Sequence, residues 1–170
     1  MNARPSSVPL EQMPSWRPMI DSDLVRVAEL EQEAHAAPWT IGNFRDALAA
    51  GYAALVGERH GQIVAYGVLM LAPGEGQLLN LTVAKVARRR GLGRTLLRRM
   101  LADAARVGAD QCFLEVRESN LAAIALYLRE GFAPVARRVA YYPSLPGGSR
   151  REDALVMRRP ILLGSDDGPL

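Results

Sequence analysis

Residues 77–99, Q-L-L-N-L-T-V-A-K-V-A-R-R-R-G-L-G-R-T-L-L-R-R, leave the chain few ways to fold. They read as a strand ending near Val83, a basic loop with two glycines, and an amphipathic helix from about Arg94 to Val107. That helix sets Leu96, Leu97, Met100, Leu101 and Ala104 on one face, exposes Arg98, Arg99 and Asp103, and stops at Gly108. Gln111–Val116 follows, apolar at four of its six positions, as a strand buried on both faces should be. Strand, helix and strand form a crossover unit, so strands 77–83 and 111–116 are expected to run parallel. The loop Arg88-Arg89-Arg90-Gly91-Leu92-Gly93 lies just before the first helical turn. Main-chain N–H groups there lack intrahelical partners and the helix dipole is positive. Gly91 and Gly93 permit close approach to the backbone, and the arginines, with Arg94 in the first turn, add charge. A phosphate is the natural guest.

Two phosphate motifs are excluded. In a dinucleotide fingerprint the third small residue would fall at Leu96, and Val83 and Gly91 stand too far apart. No Walker sequence G-x-x-x-x-G-K-S/T occurs anywhere. The bland alternative is a solvated basic turn. Composition narrows the class of protein. At 170 residues, with 49% apolar and 23% charged side chains, the chain suits one globular domain with a real core. Net charge is only +3, yet Lys85 is the sole lysine and six arginines crowd into residues 88–99. That favours forked recognition of phosphate or carboxylate over bulk attraction to a polyanion. No aromatic residues interleave with the basic run, which argues against a nucleic-acid stacking platform. Cys112 is the single cysteine, Met1–Ser15 lacks the pattern of a signal peptide, and Ile63–Ala72 is too short to span a bilayer. The expectation is a soluble cytoplasmic domain over residues 16–160, with loose tails at 1–15 and 161–170.

Along the chain, Trp16–Ile20 suits a short first strand. Asp21 or Ser22 is placed to cap a helix through about His35, with Leu24, Val27, Ala28, Leu30 and Glu31 forming a mostly apolar stripe. Ala37-Pro38-Trp39 breaks it, and Thr40 caps a second helix in which Phe44, Ala47 and Leu48 share a face before Gly51. Tyr52–Gly57 and Ile63–Leu71 read as a hairpin, with Gln77–Val83 as a third antiparallel neighbour. Ser119 or Asn120 caps a helix through Arg129, ended by Gly131. Phe132–Tyr142 and Asp153–Arg158 make a last antiparallel pair.

Within L-E-V-R-E-S-N-L-A-A-I-A-L-Y-L-R-E-G-F, residues 114–132, Glu115 interrupts an otherwise apolar strand. A carboxylate there is costly unless it is paired or used. Pairing with Arg117, two residues along on the same face, would be the structural explanation. Asn120 suits a helix cap, and Tyr127 suits the core with its hydroxyl satisfied. Cys112 is expected to be a small buried hydrophobe rather than a nucleophile. His35 and His60 stand too isolated for a metal site.

Together, Arg88-x-x-Gly91-x-Gly93, E-V-R-x-S-N and A-x-x-L-Y-x-x-x-G-F closely resemble the GNAT acetyltransferase superfamily. Within it, L-E-V-R-x-S-N-x-A-A-I-A-L-Y is similar to the ribosomal-protein-alanine N-acetyltransferases. The resemblance extends to A-H-A-x-P-W at 34–39, to Arg138-x-x-Tyr141-Tyr142-Pro143 and to Glu152-Asp153-Ala154. It implies an α/β fold: a mixed, mostly antiparallel sheet with a central parallel pair and helices on both faces. It also implies that strands 77–83 and 111–116 splay into a V that receives acetyl-CoA. Leu81, Thr82 and Val83 would hold the pantetheine arm and acetyl carbonyl. Arg88, Arg89, Arg90, Gly91, Leu92, Gly93 and Arg94 would cradle the pyrophosphate, and Asn120 would touch the cofactor. By the same resemblance Glu115 is the general base and Tyr127 the general acid, with no metal. Pro38 and Trp39 would face Tyr141 and Tyr142 across an acceptor groove for a protein N-terminus, that of a ribosomal protein. Two departures bear on the acceptor: Glu118 where a small residue is usual, and a longer loop at 144–151. The rival acceptors are a lysine side chain and a small amine. From other classes, the rivals are an RNA- or ribosome-binding protein without chemistry and a retired enzyme that senses acetyl-CoA.

Overall fold

The computed structural model describes residues 13–161. The expected tails fall mainly outside that range, although Ser15 already pairs with Glu58 and Ile161 is buried. Seven strands form one sheet: β1 (Ser15–Pro18), β2 (Ala53–Arg59), β3 (Gln62–Ala72), β4 (Glu75–Val83), β5 (Gln111–Arg117), β6 (Ala133–Tyr142) and β7 (Glu152–Pro160). Their order is β1-β2-β3-β4-β5-β7-β6. Every pairing is antiparallel except β4 with β5, the parallel pair demanded by the crossover helix. The last strand inserts between β5 and β6 rather than adding at the edge.

Four helices cover the two faces: α1 (Leu24–Ala34), α2 (Ile41–Ala49), α3 (Leu92–Arg106) and α4 (Leu121–Arg129). On one face, Leu96, Leu97, Met100 and Leu101 of α3 and Tyr127 of α4 pack with Leu69, Leu78, Leu114 and Met157. On the other, Leu24, Val27 and Leu30 of α1 and Phe44 of α2 pack with Val56, Tyr66 and Val68. The helix α3 sits close on the sheet over Gly67, where a Cβ would lie 2.5 Å from the Met100 sulfur. No helix among the described residues is long and apolar enough to cross a membrane.

Two helix starts differ from the sequence reading. The helix α1 begins at Leu24, after a 3₁₀ turn over Asp21–Asp23. Asp23 bonds the Arg17 guanidinium (2.7 and 2.8 Å) and accepts from the Ile20 N–H (2.9 Å), charge-assisted and main-chain contacts that pin this turn ahead of the helix. The helix α3 begins at Leu92 rather than near Arg94, because Gly91 adopts φ 78° and serves as its N-cap. Thr40 caps α2 and Asn120 caps α4, each accepting a main-chain N–H at 3.2 Å.

Candidate active site

The site is made by an interruption in the sheet. Residues 75–78 of β4 pair with 111–114 of β5, and pairing stops at Leu78↔Leu114. Beyond that point β4 stays bonded to β3 through Val83, and β5 stays bonded to β7 through Arg117. The main chain of 79–83 therefore has no strand neighbour on its β5 side. A register shift between Val68 and Leu69 marks a bulge in β4 at the same level, the usual device for re-aiming a strand. The resulting cleft, of about 170 Å³, is lined by Leu79–Leu81, Glu115–Arg117, Asn120, Tyr127, Tyr142, Trp39 and His35 among others.

Of the residues singled out above, the cleft brings together Glu115, Tyr127, Asn120, Leu81, Trp39 and Tyr142. Thr82, Val83, Pro38, Tyr141 and the loop 88–94 do not line it. Thr82 points to the α1 side of the sheet, where its hydroxyl meets Asn80 and His35. Leu92 is buried in the core on that same side. Arg88 turns back to donate to the Val83 carbonyl (3.0 Å). The Arg94 and Arg98 guanidinium groups are held by Glu130 at 2.5 and 2.7 Å. Burial alone would raise the Glu130 carboxyl, but the hydrogen bonds from Arg98 and Arg94 outweigh it and hold the group below its usual range. In the loop Arg89, Arg90 and Gly91 are exposed. No side chain caps α3, and a Cβ built on Gly91 meets nothing within 4 Å.

Glu115 is 16% exposed, and its partner is not Arg117. Its Oε1 lies 2.7 Å from Nε of Arg138 on β6. Arg117 bonds Glu152 and the Pro143 carbonyl, each at 3.0 Å, and stacks on the Tyr142 ring 4.4 Å from its centroid. The first pairing reaches across β7 to β6 and the second reaches β7 itself, which a count along one strand does not reveal. The Tyr141 phenol is pushed up by its hydrogen bond to Glu115. The Tyr142 phenol is pushed up to about 12 by burial, reinforced by the Glu115 charge. Tyr127 is 7% exposed, and burial drives its phenol well above the ordinary range, so it remains a protonated donor. Burial likewise lifts the Cys112 thiol to about 11, which keeps it un-ionised and inert. Glu118 pairs with Arg137 at the rim, away from the cleft.

One group was missed from sequence. Glu31, in the buried stripe of α1, is 2% exposed and accepts hydrogen bonds from the Trp39 N–H (3.0 Å), the Asn80 amide (3.1 Å) and the Tyr66 hydroxyl. Burial, and then the Glu31 charge, pushes the Tyr66 phenol up. The signal was available: a carboxylate among apolar stripe positions is the same anomaly that drew attention to Glu115.

Comparison with known proteins gives this arrangement a family. Residues 24–132 match the model of the acetyltransferase (GNAT) family. The chain is 36% identical over 140 residues to the [ribosomal protein bS18]-alanine N-acetyltransferase of Escherichia coli K12, covering 82% of this chain and 93% of that protein. The crystal structure of the ribosomal-protein-S18-alanine N-acetyltransferase from Escherichia coli superposes with a TM-score of 0.82 at 32% identity, over 93% of this chain and all of that one. Chaetomium thermophilum Naa20, solved with a bisubstrate analogue, superposes at 0.76 with 26% identity, over 91% and 93% of the two chains. With a parted β4–β5 pair, an open glycine turn at the start of α3 and these relatives across most of its length, the chain belongs to the GNAT family of acetyltransferases.

Proposed function

We propose that this cleft transfers the acetyl group of acetyl-CoA to the N-terminal α-amine of a protein, and that the acceptor is the N-terminal alanine of a small-subunit ribosomal protein. The observation that carries the reading is the gap beyond Leu78 and Leu114, with Glu115 and Tyr127 both lining it. The choice of acceptor is supported by the names of the relatives that share 34–36% identity.

The residues present fit the donor. The unpaired edge of 79–83 offers N–H and C=O groups to the amides of a pantetheine arm, much as an added strand would. The first-turn N–H groups of α3 suit a pyrophosphate, and the open space over Gly91 leaves room for it. When bound, acetyl-CoA supplies an acetyl thioester activated toward amines. An N-terminal amine is partly protonated near neutral pH, and only its neutral form is nucleophilic. Glu115 accepts a proton from that nitrogen, directly or through one water. Tyr127, kept protonated by burial, holds a proton on its phenol oxygen for the departing sulfur. Trp39 and Tyr142 line the cleft and give the incoming peptide apolar walls.

Mass spectrometry of peptides incubated with acetyl-CoA tests the acceptor. Peptides beginning with Ala are expected to gain one acetyl group at the α-amine, and sequences with a blocked N-terminus and an internal lysine are expected to gain none. Acetylation of the lysine peptides at equal rate would transfer the reading to a side-chain acceptor.

The donor site has its own test. Gly91→Val puts a branched side chain into the space reserved for phosphate and forces a β-branched residue to φ 78°. Calorimetry is expected to show acetyl-CoA affinity reduced by about tenfold or more, equal to about 1.4 kcal/mol. Unchanged affinity in a folded Gly91→Val protein would place the phosphate site elsewhere.

A further inference from the structure

The polar network behind the cleft has a direction, and it ends on a histidine. Glu31 is an acceptor toward all three of its donors, so Asn80 must turn its amide nitrogen to Oε2 (3.1 Å). The Asn80 Oδ1 then faces Thr82, whose hydroxyl donates to it at 3.0 Å. A hydroxyl has one proton, and this one is committed. Thr82 Oγ1 can therefore meet His35 Nε2, 2.8 Å away, only as an acceptor. Nε2 carries the hydrogen, and in the neutral ring Nδ1 is left as the proton acceptor.

His35 follows the last residue of α1, its side chain is 37% exposed, and it lines the cleft together with Glu115. A proton arriving at Nδ1 would create an imidazolium whose Nε2–H stays bonded to Thr82 and lies 3.5 Å from Glu31 Oε2. The buried carboxylate stabilises that charge and holds the ring orientation without taking the proton, the logic of a carboxylate–histidine dyad. The titratable or charged groups around the ring are Glu31 on α1 and Tyr66 on β3. Those sharing the cleft are Glu115 and Arg117 on β5, Tyr127 on α4 and Tyr142 on β6. On β4 the ring bonds the uncharged Thr82, which in turn bonds the uncharged Asn80.

Proton balance calls for such a group. An ammonium that ends as an amide loses two protons: one before nitrogen can attack, one after the C–N bond forms. Glu115 takes one at a time, and the Tyr127 proton goes to sulfur as the C–S bond breaks. Resting on the reading that the cleft acetylates an amine, we propose that His35 is a second catalytic proton acceptor, taking the first ammonium proton at Nδ1 while Glu31, Asn80 and Thr82 fix its tautomer. The N–H electron pair stays on nitrogen as the nucleophile. Glu115 takes the second proton, then passes it to the Tyr127 phenolate. His35 releases its own to solvent, so each turnover yields one amide, one thiol and one free proton.

The test has two arms. In the ligand-free protein, nitrogen NMR of the imidazole is expected to show the Nε2–H tautomer for neutral His35, and Thr82→Val is expected to weaken that preference. A neutral ring protonated at Nδ1 would overturn the proposal without any assay of activity. In the second arm, His35→Gln keeps a donor toward Thr82 and removes the titratable nitrogen. Its kcat/KM for an Ala-first peptide is expected to fall by about tenfold or more near pH 6.5, with the gap closing near pH 9, where the amine is already neutral. The KM for acetyl-CoA is expected to stay put. A loss under about twofold at low pH, or an equal loss at every pH, would overturn the proposal. Either result, with the wild type still acetylating peptides, leaves the proposed function standing. A wild type that acetylates no amine sinks both.

Discussion

Glu115→Gln is expected to lower kcat by about 10²–10⁴ while leaving the protein folded and able to bind acetyl-CoA. The substitution keeps shape and volume but removes the proton-accepting oxygen. It also breaks the ion pair with Arg138, yet that guanidinium is 56% exposed, and screened pairs of this kind contribute little to stability. Tyr141, whose phenol is raised by its bond to Glu115, can still donate to the amide oxygen. In the proton order proposed above, Glu115 takes the proton that leaves after the C–N bond forms, so neutralising the amine in solution does not bypass it. The defect should therefore persist as pH rises, whereas that of His35→Gln closes. Steady-state kinetics on one peptide across a pH series checks both points. A Glu115→Gln enzyme with near-wild-type kcat at neutral pH would return Glu115 to a structural role, as the carboxylate that anchors Arg138.

Much of the fold was legible because glycines, prolines and caps punctuate the chain where periodicity changes. The crossover from Gln77 to Val116 implied the parallel pair, and that pair is where the sheet opens into the cleft. Helix starts were less legible. The start of α1 is shifted by the 3₁₀ turn that Asp23 pins to Arg17, and that of α3 by Gly91 acting as a left-handed N-cap. The site was legible as a set of residue types but not as a set of partners. Glu115 stood out as a carboxylate in an apolar strand, whereas Arg138 is reached only because β7 inserts between β5 and β6. The phosphate loop was legible as a glycine turn before a helix start, with arginines adding charge. In the structure Arg94 and Arg98 serve Glu130 and Arg88 serves the Val83 carbonyl, partners that spacing along the chain does not show, while Arg89, Arg90 and Gly91 are exposed. Glu31 was read into an apolar stripe because periodicity outweighed chemistry. Its partners sit on β3 and β4 and in the Trp39 turn, at separations that no local window spans.

Tyr127→Phe is the second large effect. The ring packs in the core, 5.7 Å from Phe132 between centroids, and Phe fills the same volume, so folding should be preserved. What disappears is the one hydroxyl of a residue that lines the cleft. Burial keeps that phenol protonated through the working pH range, which suits a donor and excludes a resting base. Loss of a positioned acid is expected to lower kcat by about 10²-fold, with KM for acetyl-CoA little changed. The defect should follow the leaving group rather than the amine. A more acidic thiol departs without waiting for a proton, so an acetyl donor built on such a thiol should rescue Tyr127→Phe and leave Glu115→Gln as slow as before. Comparing the two variants on two donors separates the roles. Equal rescue of both would assign Tyr127 to holding the substrate, and no rescue of either would place the leaving-group acid on another residue.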